Sequence, residues 1–181
     1  RSYIEKSLIL DEINNPSHYA LMTFHRPSNV DQLDTLTELV KTIKLCCNHI
    51  PIVLPLHPRT KKSLQKHQLW NIFEKIQNLI LTDSLGYLDF MKLVTNADIV
   101  ITDSGGIQEE TTYLQIPCMT VRENTERPIT ITLGNNELIE LDATKISQRM
   151  IEKLNSSKKG EIPPLWDGHA TERILDVIAN S

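Results

Sequence analysis

Residues 97–114 read ADIVITDSGGIQEETTYL: an apolar run closes on Thr102-Asp103-Ser104, turns at Gly105-Gly106 and continues as a polar segment of good helix formers. That succession is the mark of a strand, a tight turn and a helix, the unit that aims backbone N–H groups at an anion. The chain on either side repeats the alternation. Strands are expected at 19–24, 51–56, 78–82, 97–102, 118–121 and 137–141, with Pro55 an oddity that removes a ladder hydrogen bond from the middle of the second. Helices are expected from Leu33 to about Cys47, with Asn29 or Asp31 as the cap, over 61–76, from the 83–90 loop to about Thr95, and over 106–114. A short turn opens at Pro128 and closes at Gly134, and the last two helices cover 143–154 and 170–178. Residues 2–13 carry a weak helical spacing stopped by Asn14-Asn15-Pro16-Ser17, and 155–160 is a polar break.

Six short apolar runs separated mostly by helices predict right-handed crossovers and an α/β, Rossmann-like, mostly parallel sheet with helices on both faces. Most runs end in polar residues that then share one edge: His25-Arg26, His57 and Arg59, Asp83-Ser84, Asp103-Ser104, and Arg122 to Arg127. That edge is the ligand crevice of an open α/β sheet.

The 181 residues, 40% of them hydrophobic, suit one domain. Nineteen Lys and Arg against 23 Asp and Glu leave a formal charge of −4, which offers a polyanion no general attraction and argues against broad nucleic-acid binding. No run is long enough to cross a bilayer, and RSYIEKSLIL lacks the apolar centre of a signal peptide, so a soluble chain away from membranes is expected. Cys46 and Cys47 are adjacent and Cys118 lies in an apolar run, a usage that suits a reducing compartment such as the cytoplasm. His18, His49, His67 and His169 show no paired metal-ligand spacing and read as surface or local packing residues.

Ser104, Gly105 and Gly106 form the best anion site, because glycine reaches left-handed angles and lets oxygen approach the backbone; an ordinary helix-cap turn is the competing reading. The sequence contains neither GxGxxG nor GKS or GKT, and no GxSxG nucleophile elbow. Glu110, just behind the turn, is placed to accept from the two hydroxyls of a ribose, and Glu109 points elsewhere because helix neighbours differ by about 100°; carboxylates that simply favour a helix start and solubility are the competing reading. Arg122 and Arg127 suit phosphate oxygens, or else form surface ion pairs with Glu123 and Glu126. His25-Arg26 and His57-Pro58-Arg59 repeat one device at two strand ends, where an imidazole can donate to a phosphate or act as acid or base, or else cap the strand structurally. Tyr87 is the better candidate to stack on a planar base, since Phe90 and Leu93 face inward.

Taken together, these residues closely resemble the carboxyl-terminal half of the non-hydrolysing UDP-N-acetylglucosamine 2-epimerases. The resemblance runs from about Tyr19 to Ile178 and rests on Thr23-Phe24-His25-Arg26-Pro27, Leu56-His57-Pro58, the run DSGGIQEE at 103–110, Arg122 with Thr125-Glu126-Arg127-Pro128, and Asp167-Gly168 with Ala170-Thr171-Glu172-Arg173-Ile174. DSGGIQEE followed by TERP is the specific pair. The resemblance implies the carboxyl-terminal domain of a glycosyltransferase-B-like fold, whose amino-terminal partner domain is absent from this chain, and a homodimer at full length. It implies that Ser104, Gly105 and Gly106 hold a diphosphate, Glu110 the ribose hydroxyls, and that Tyr87 lies near uracil. His25 and Arg127, the candidate catalytic pair, face the phosphate side of the sugar nucleotide, with Arg26, His57 and Arg122 as further binding residues. The implied reaction removes the C2 proton, expels UDP, and re-adds it after reprotonation on the other face, with no metal or nicotinamide. The donor-binding half of a glycosyltransferase and a hydrolysing epimerase are the alternatives.

One departure concerns the segment after His25-Arg26. Many bacterial members have an acidic residue and Asn followed by Gly there, a region that in some helps to hold an activating second substrate molecule. Here it reads Pro27-Ser28-Asn29-Val30-Asp31, which predicts an enzyme without that requirement.

Overall fold

A computed structural model describes residues 2–156 and 160–180. Six strands form one sheet: β1 (Ala20–Thr23), β2 (Ile52–Pro55), β3 (Leu79–Thr82), β4 (Ile99–Thr102), β5 (Cys118–Val121) and β6 (Asn136–Ile139), in the order β3-β2-β1-β4-β5-β6. Every neighbouring pair is parallel. The chain walks outward from β1 to β3, returns to the far side of β1 as β4, and walks outward again. Order therefore reverses between β1 and β4, and the crevice of such a sheet opens at their carboxyl ends.

Period-two alternation sorts the strand side chains into two cores. On one face Ala20, Met22, Ile52, Leu54, Ile99, Ile101, Met119 and Val121 meet Leu36, Leu39 and Ile43 of the Leu33–Cys46 helix and Ile146 and Met150 of the Ala143–Leu154 helix. On the other, Leu21, Val53, Val100 and Cys118 meet Met91, Leu93, Val94 and Ile107. All four residues of β4 and of β5 are buried, so the strands that present the site are the most firmly held. The three cysteines are buried and free.

The structure corrects several expectations. Pro55 closes β2 rather than interrupting it. Ile52 and Leu56 send their N–H groups to Asn78 and Thr82 on the β3 side, so position 55 faces β1, where the register ends at Leu21 and Val53. The helix expected over 61–76 is two, Pro58–Lys66 and Trp70–Phe73, broken at Gln68 with φ 59°. The break turns Phe73 into the core, and no glycine or proline announces it. Neither Asn29 nor Asp31 caps the Leu33–Cys46 helix, whose N-cap is Gln32 without a side-chain bond. Residues 2–13 form two short helices, Ser2–Glu5 and Ile9–Glu12, tied to the Tyr87–Asn96 helix by Ser7 Oγ donating to Asp89 Oδ1 at 2.6 Å. Part of the polar break, 157–159, lies outside the described residues.

The Ala170–Ala179 helix buries none of its side chains; Ile174, Leu175, Val177 and Ile178 are 58–68% exposed. Among the described residues no helix is long and apolar enough to cross a membrane.

Candidate functional site

Asp103, the residue after β4, is completely buried and gathers the loop after β1 onto itself. It accepts from the backbone N–H of His25 at 3.0 Å, the N–H of Arg26 at 2.9 Å and Asn29 Nδ2 at 3.1 Å, while His25 Nδ1 lies 3.1 Å from its other oxygen. Burial pushes this carboxyl up, but the bonds from His25, Arg26 and Asn29 together outweigh it and hold it below the usual carboxylate range. With Nδ1 committed to Asp103, His25 has Nε2 left for other partners.

His57 lies beside it, ring centroids 5.2 Å apart, with the opposite arrangement. Its Nδ1 accepts from the N–H of Arg59 at 3.1 Å, capping the Pro58–Lys66 helix, so its proton sits on Nε2. Burial, then the neighbouring His25 and Arg59, lower its pKa against the pull of Asp103, favouring the neutral ring. Two strand ends thus place two imidazoles side by side, each with Nδ1 engaged by the protein. Arg26 turns inward and donates Nε–H to the carbonyl of Asp103 at 2.8 Å, so it also fixes the loop.

The anion site follows directly. Ser104 is an N-cap with φ −82° and ψ 135°, its hydroxyl makes no cap bond, and the helix Gly105–Leu114 starts immediately. Among the described residues no protein acceptor meets the N–H groups of Gly105, Gly106 or Ile107. The expected left-handed angles are absent, since Gly168 is the one positive-φ glycine among the described residues. Gly105 is needed for close approach: a Cβ there would stand 3.0 Å from Arg127 Nη1 and 3.6 Å from Arg122 Nη1. At Gly106 a Cβ would meet nothing within 4 Å.

Two guanidinium groups therefore converge on a helix N-terminus. The helix end supplies about half an elementary charge, so the arginines dominate attraction while the amides dictate geometry. Both arginines also form ion pairs, as the competing sequence reading has it: both meet Glu126, and Arg127 in addition meets Glu109. Arg122, only 7% exposed, holds Glu126 through Nη1 at 3.0 Å and Nη2 at 2.8 Å, and Glu126 is pulled down to about 2 chiefly by that bond. Arg127 Nε is 2.8 Å from Glu109 Oε2, an ion pair whose angle is not that of a straight hydrogen bond. Partly exposed pairs of this kind contribute at most about 1 kcal/mol, so Arg127 can exchange Glu109 for a phosphate while Arg122 stays put.

Tyr87 and Glu110 form the third part. Tyr87, 64% exposed, opens the Tyr87–Asn96 helix, and its hydroxyl lies on the Glu110 side, near enough to influence that half-buried carboxylate. Burial raises the Glu110 pKa, the Tyr87 hydroxyl offsets part of the rise, and Glu109 adds to it.

The comparisons with known proteins fit this geometry. A family model described as UDP-N-acetylglucosamine 2-epimerase matches residues 1–179. The chain belongs to the UDP-N-acetylglucosamine 2-epimerase family. The UDP-N-acetylglucosamine 2-epimerase of Methanococcus maripaludis is 36% identical over 171 residues, 93% of this chain and 46% of that protein. Its counterpart from Methanocaldococcus jannaschii is 34% identical over 174 residues, covering 95% and 46%. The crystal structure of that enzyme in complex with UDP-N-acetylglucosamine and UDP superposes with a TM-score of 0.85 at 32% identity, over 99% of this chain and 51% of that one. The chain spans about half the length of these relatives.

Within the epimerase family framework, the sequence-derived residues divide into three groups on one sheet edge: His25, Arg26 and His57 around Asp103; Ser104, Gly105, Gly106, Arg122 and Arg127 at the helix N-terminus; and Tyr87 with Glu110. Sequence reading quoted Asp103 but gave it no role, and missed that Asn29 anchors to it. The sequence shows only an Asp closing the apolar run 97–102, with nothing to mark it as buried. His18 pairs with Asp98 at 3.1 Å and His67 Nε2 lies 3.2 Å from the Asp31 carbonyl, both local packing.

Proposed function

We propose that this chain is the carboxyl-terminal, UDP-binding half of an enzyme that interconverts UDP-N-acetylglucosamine and UDP-N-acetylmannosamine. The observation that carries the reading is the set of unbonded N–H groups at Gly105, Gly106 and Ile107 beneath Arg122 and Arg127. A diphosphate seated there places a ribose against Glu110 and the base beside Tyr87. As the C2 proton leaves and the C1–O bond breaks, charge collects on the terminal phosphate, where Arg127 and the helix amides stabilise it. His57 donates Nε2–H to a phosphate or sugar oxygen, with the His25 ring beside it. Re-addition of UDP to the resulting 2-acetamidoglucal, with a proton delivered on the other face, completes the inversion.

Inversion at C2 needs proton-exchanging groups on both faces of the sugar. In this reading the amino-terminal half of the same polypeptide supplies them, closes the crevice and covers the exposed apolar side chains of the Ala170–Ala179 helix. The full-length enzyme is then a homodimer acting on a UDP-sugar.

The test is a calorimetric titration of the chain with UDP, UMP and UDP-N-acetylglucosamine, repeated with Glu110→Ala and Arg127→Ala. A preference for UDP over UMP that Arg127→Ala removes, and a weakening of all three by Glu110→Ala, supports the reading. Equal affinity for UDP and UMP in the parent chain contradicts it. Product analysis with the full-length protein and UDP-N-acetylglucosamine alone then gives the second epimer without any acceptor.

A further inference from the structure

Behind the helix N-terminus lies a polar network that none of the assigned roles uses. Gln108, fully buried, sits in the second turn of the Gly105–Leu114 helix. Its Oε1 accepts from Thr125 Oγ1 at 2.7 Å and from Asn136 Nδ2 at 3.2 Å, and its Nε2 reaches the carbonyl of the N-cap Ser104 at 3.4 Å. Thr125 Oγ1 in turn accepts from the backbone N–H of Arg127 at 3.0 Å. Asn136 Nδ2 also donates to Thr130 Oγ1 at 3.2 Å, and that hydroxyl donates to the carbonyl of Arg127 at 2.8 Å. Asn136 Oδ1 accepts from Thr120 Oγ1 of β5 at 2.8 Å.

The consequence is a bracket. Both backbone polar groups of Arg127 are held by threonine hydroxyls, and both hydroxyls lead back to Gln108, one directly and one through Asn136. Gln108 belongs to the helix whose first N–H groups make the other wall of the anion site. The backbone of Arg127, from which the guanidinium reaches over Gly105, is thus fixed relative to that helix by side chains outside the anion site. In a buried network each missing member strands a partner, so the fixing is stiff.

We propose that Gln108, through Thr125 and Asn136, is the positioning residue that sets the spacing between Arg127 and the helix amides, and so the selectivity of the site for a nucleoside diphosphate over the monophosphate. The inference rests on the diphosphate reading above and adds the element that tunes it. Gln108 is not a catalytic residue; it acts on the terminal phosphate only by way of Arg127.

The experiment is calorimetry of the chain with UDP and with UMP for Gln108→Met, Thr125→Val, the double variant, Thr125→Ser and Arg127→Ala. Gln108→Met keeps the volume and removes the acceptor; Thr125→Val removes the hydroxyl with almost no change of shape. Each single variant is expected to weaken UDP about tenfold and UMP less than about twofold, the double variant no more than the worse single, and Thr125→Ser to restore the parental ratio. A role confined to stability predicts a lower melting temperature with an unchanged UDP to UMP ratio. If Gln108→Met does not fold, Thr125→Val against Thr125→Ser carries the test alone, since Thr125 lies on a partly exposed loop. Arg127→Ala separates the two layers. Loss of UDP preference in Arg127→Ala with a parental ratio in Thr125→Val overturns the positioning role and leaves the diphosphate site standing. No loss in Arg127→Ala overturns the diphosphate site itself.

Discussion

Arg127 Nη1 stands 3.0 Å from where a Cβ on Gly105 would be, which makes residue 105 the floor of a slot whose roof is a guanidinium. The neighbour that must give way is the mobile end of a long side chain, so Gly105→Ala is expected to fold with a melting temperature within a few degrees of the parent. It is also expected to bind UDP about tenfold more weakly, because the methyl displaces Arg127 and shields the amide floor. Melting followed by UDP titration separates the two effects. A variant that binds as the parent does contradicts the slot.

Asp103 ties the β1 and β4 loops together from a completely buried position, so Asp103→Asn replaces a carboxylate that accepts from four donors with an amide that must donate somewhere. A loss of about 2–4 kcal/mol in urea unfolding at neutral pH is expected. The pH dependence has a definite sign. The folded pKa of Asp103 is depressed, so its contribution is complete above the unfolded value of about 3.9 and is lost as pH falls through the lower folded value. The parent should lose this increment in strong acid, and Asp103→Asn should show a correspondingly shallower acid limb. Parallel limbs would remove Asp103 from its central role.

Glu110 is raised by burial and by Glu109, and the Tyr87 hydroxyl opposes that rise. Tyr87→Phe keeps the ring and removes the hydroxyl, so the Glu110 pKa rises further. A protonated Glu110 accepts one ribose hydroxyl fewer. UDP affinity in Tyr87→Phe should therefore start to fall at a higher pH than in the parent as the solution is acidified, with affinities converging towards neutral pH. Superimposable profiles from titrations across mildly acid to neutral pH would contradict the pairing.

The segment after His25-Arg26 is occupied by internal contacts. Asn29 is bonded to Asp103, and Asp31 holds Arg59 through two bonds of 2.9 and 3.1 Å. The full-length enzyme should accordingly show hyperbolic dependence of rate on UDP-N-acetylglucosamine. A strongly sigmoidal curve would show that a second substrate molecule is required.

Much of this was legible in the sequence because strand ends are short-range features. The apolar runs at 97–102 and 118–121 are short and bounded by turn signals, which favours buried strands, and a parallel sheet then brings the polar residues after them to one edge. What escaped were features decided by tertiary contact. Gln68 and Gln115 adopt left-handed angles of 59° and 61° without being glycine, so the helix break at 68 carried no local signal. A glycine pair suggests unusual dihedrals, whereas Gly105 is helical and gives room for the approach of arginines from 17 and 22 residues later in the chain. Asp103 and Gln108 look like ordinary polar neighbours of the turn until burial shows them to be its scaffold.

The central claim, a diphosphate held on bare helix amides, is tested most directly by following backbone amide resonances of the ¹⁵N-labelled chain during titration with UDP and, separately, with uridine. The account predicts that the amides of Gly105, Gly106 and Ile107 shift with UDP and stay nearly still with uridine, while residues near Tyr87 respond to both. Saturable UDP binding that leaves those three amides unmoved would contradict it.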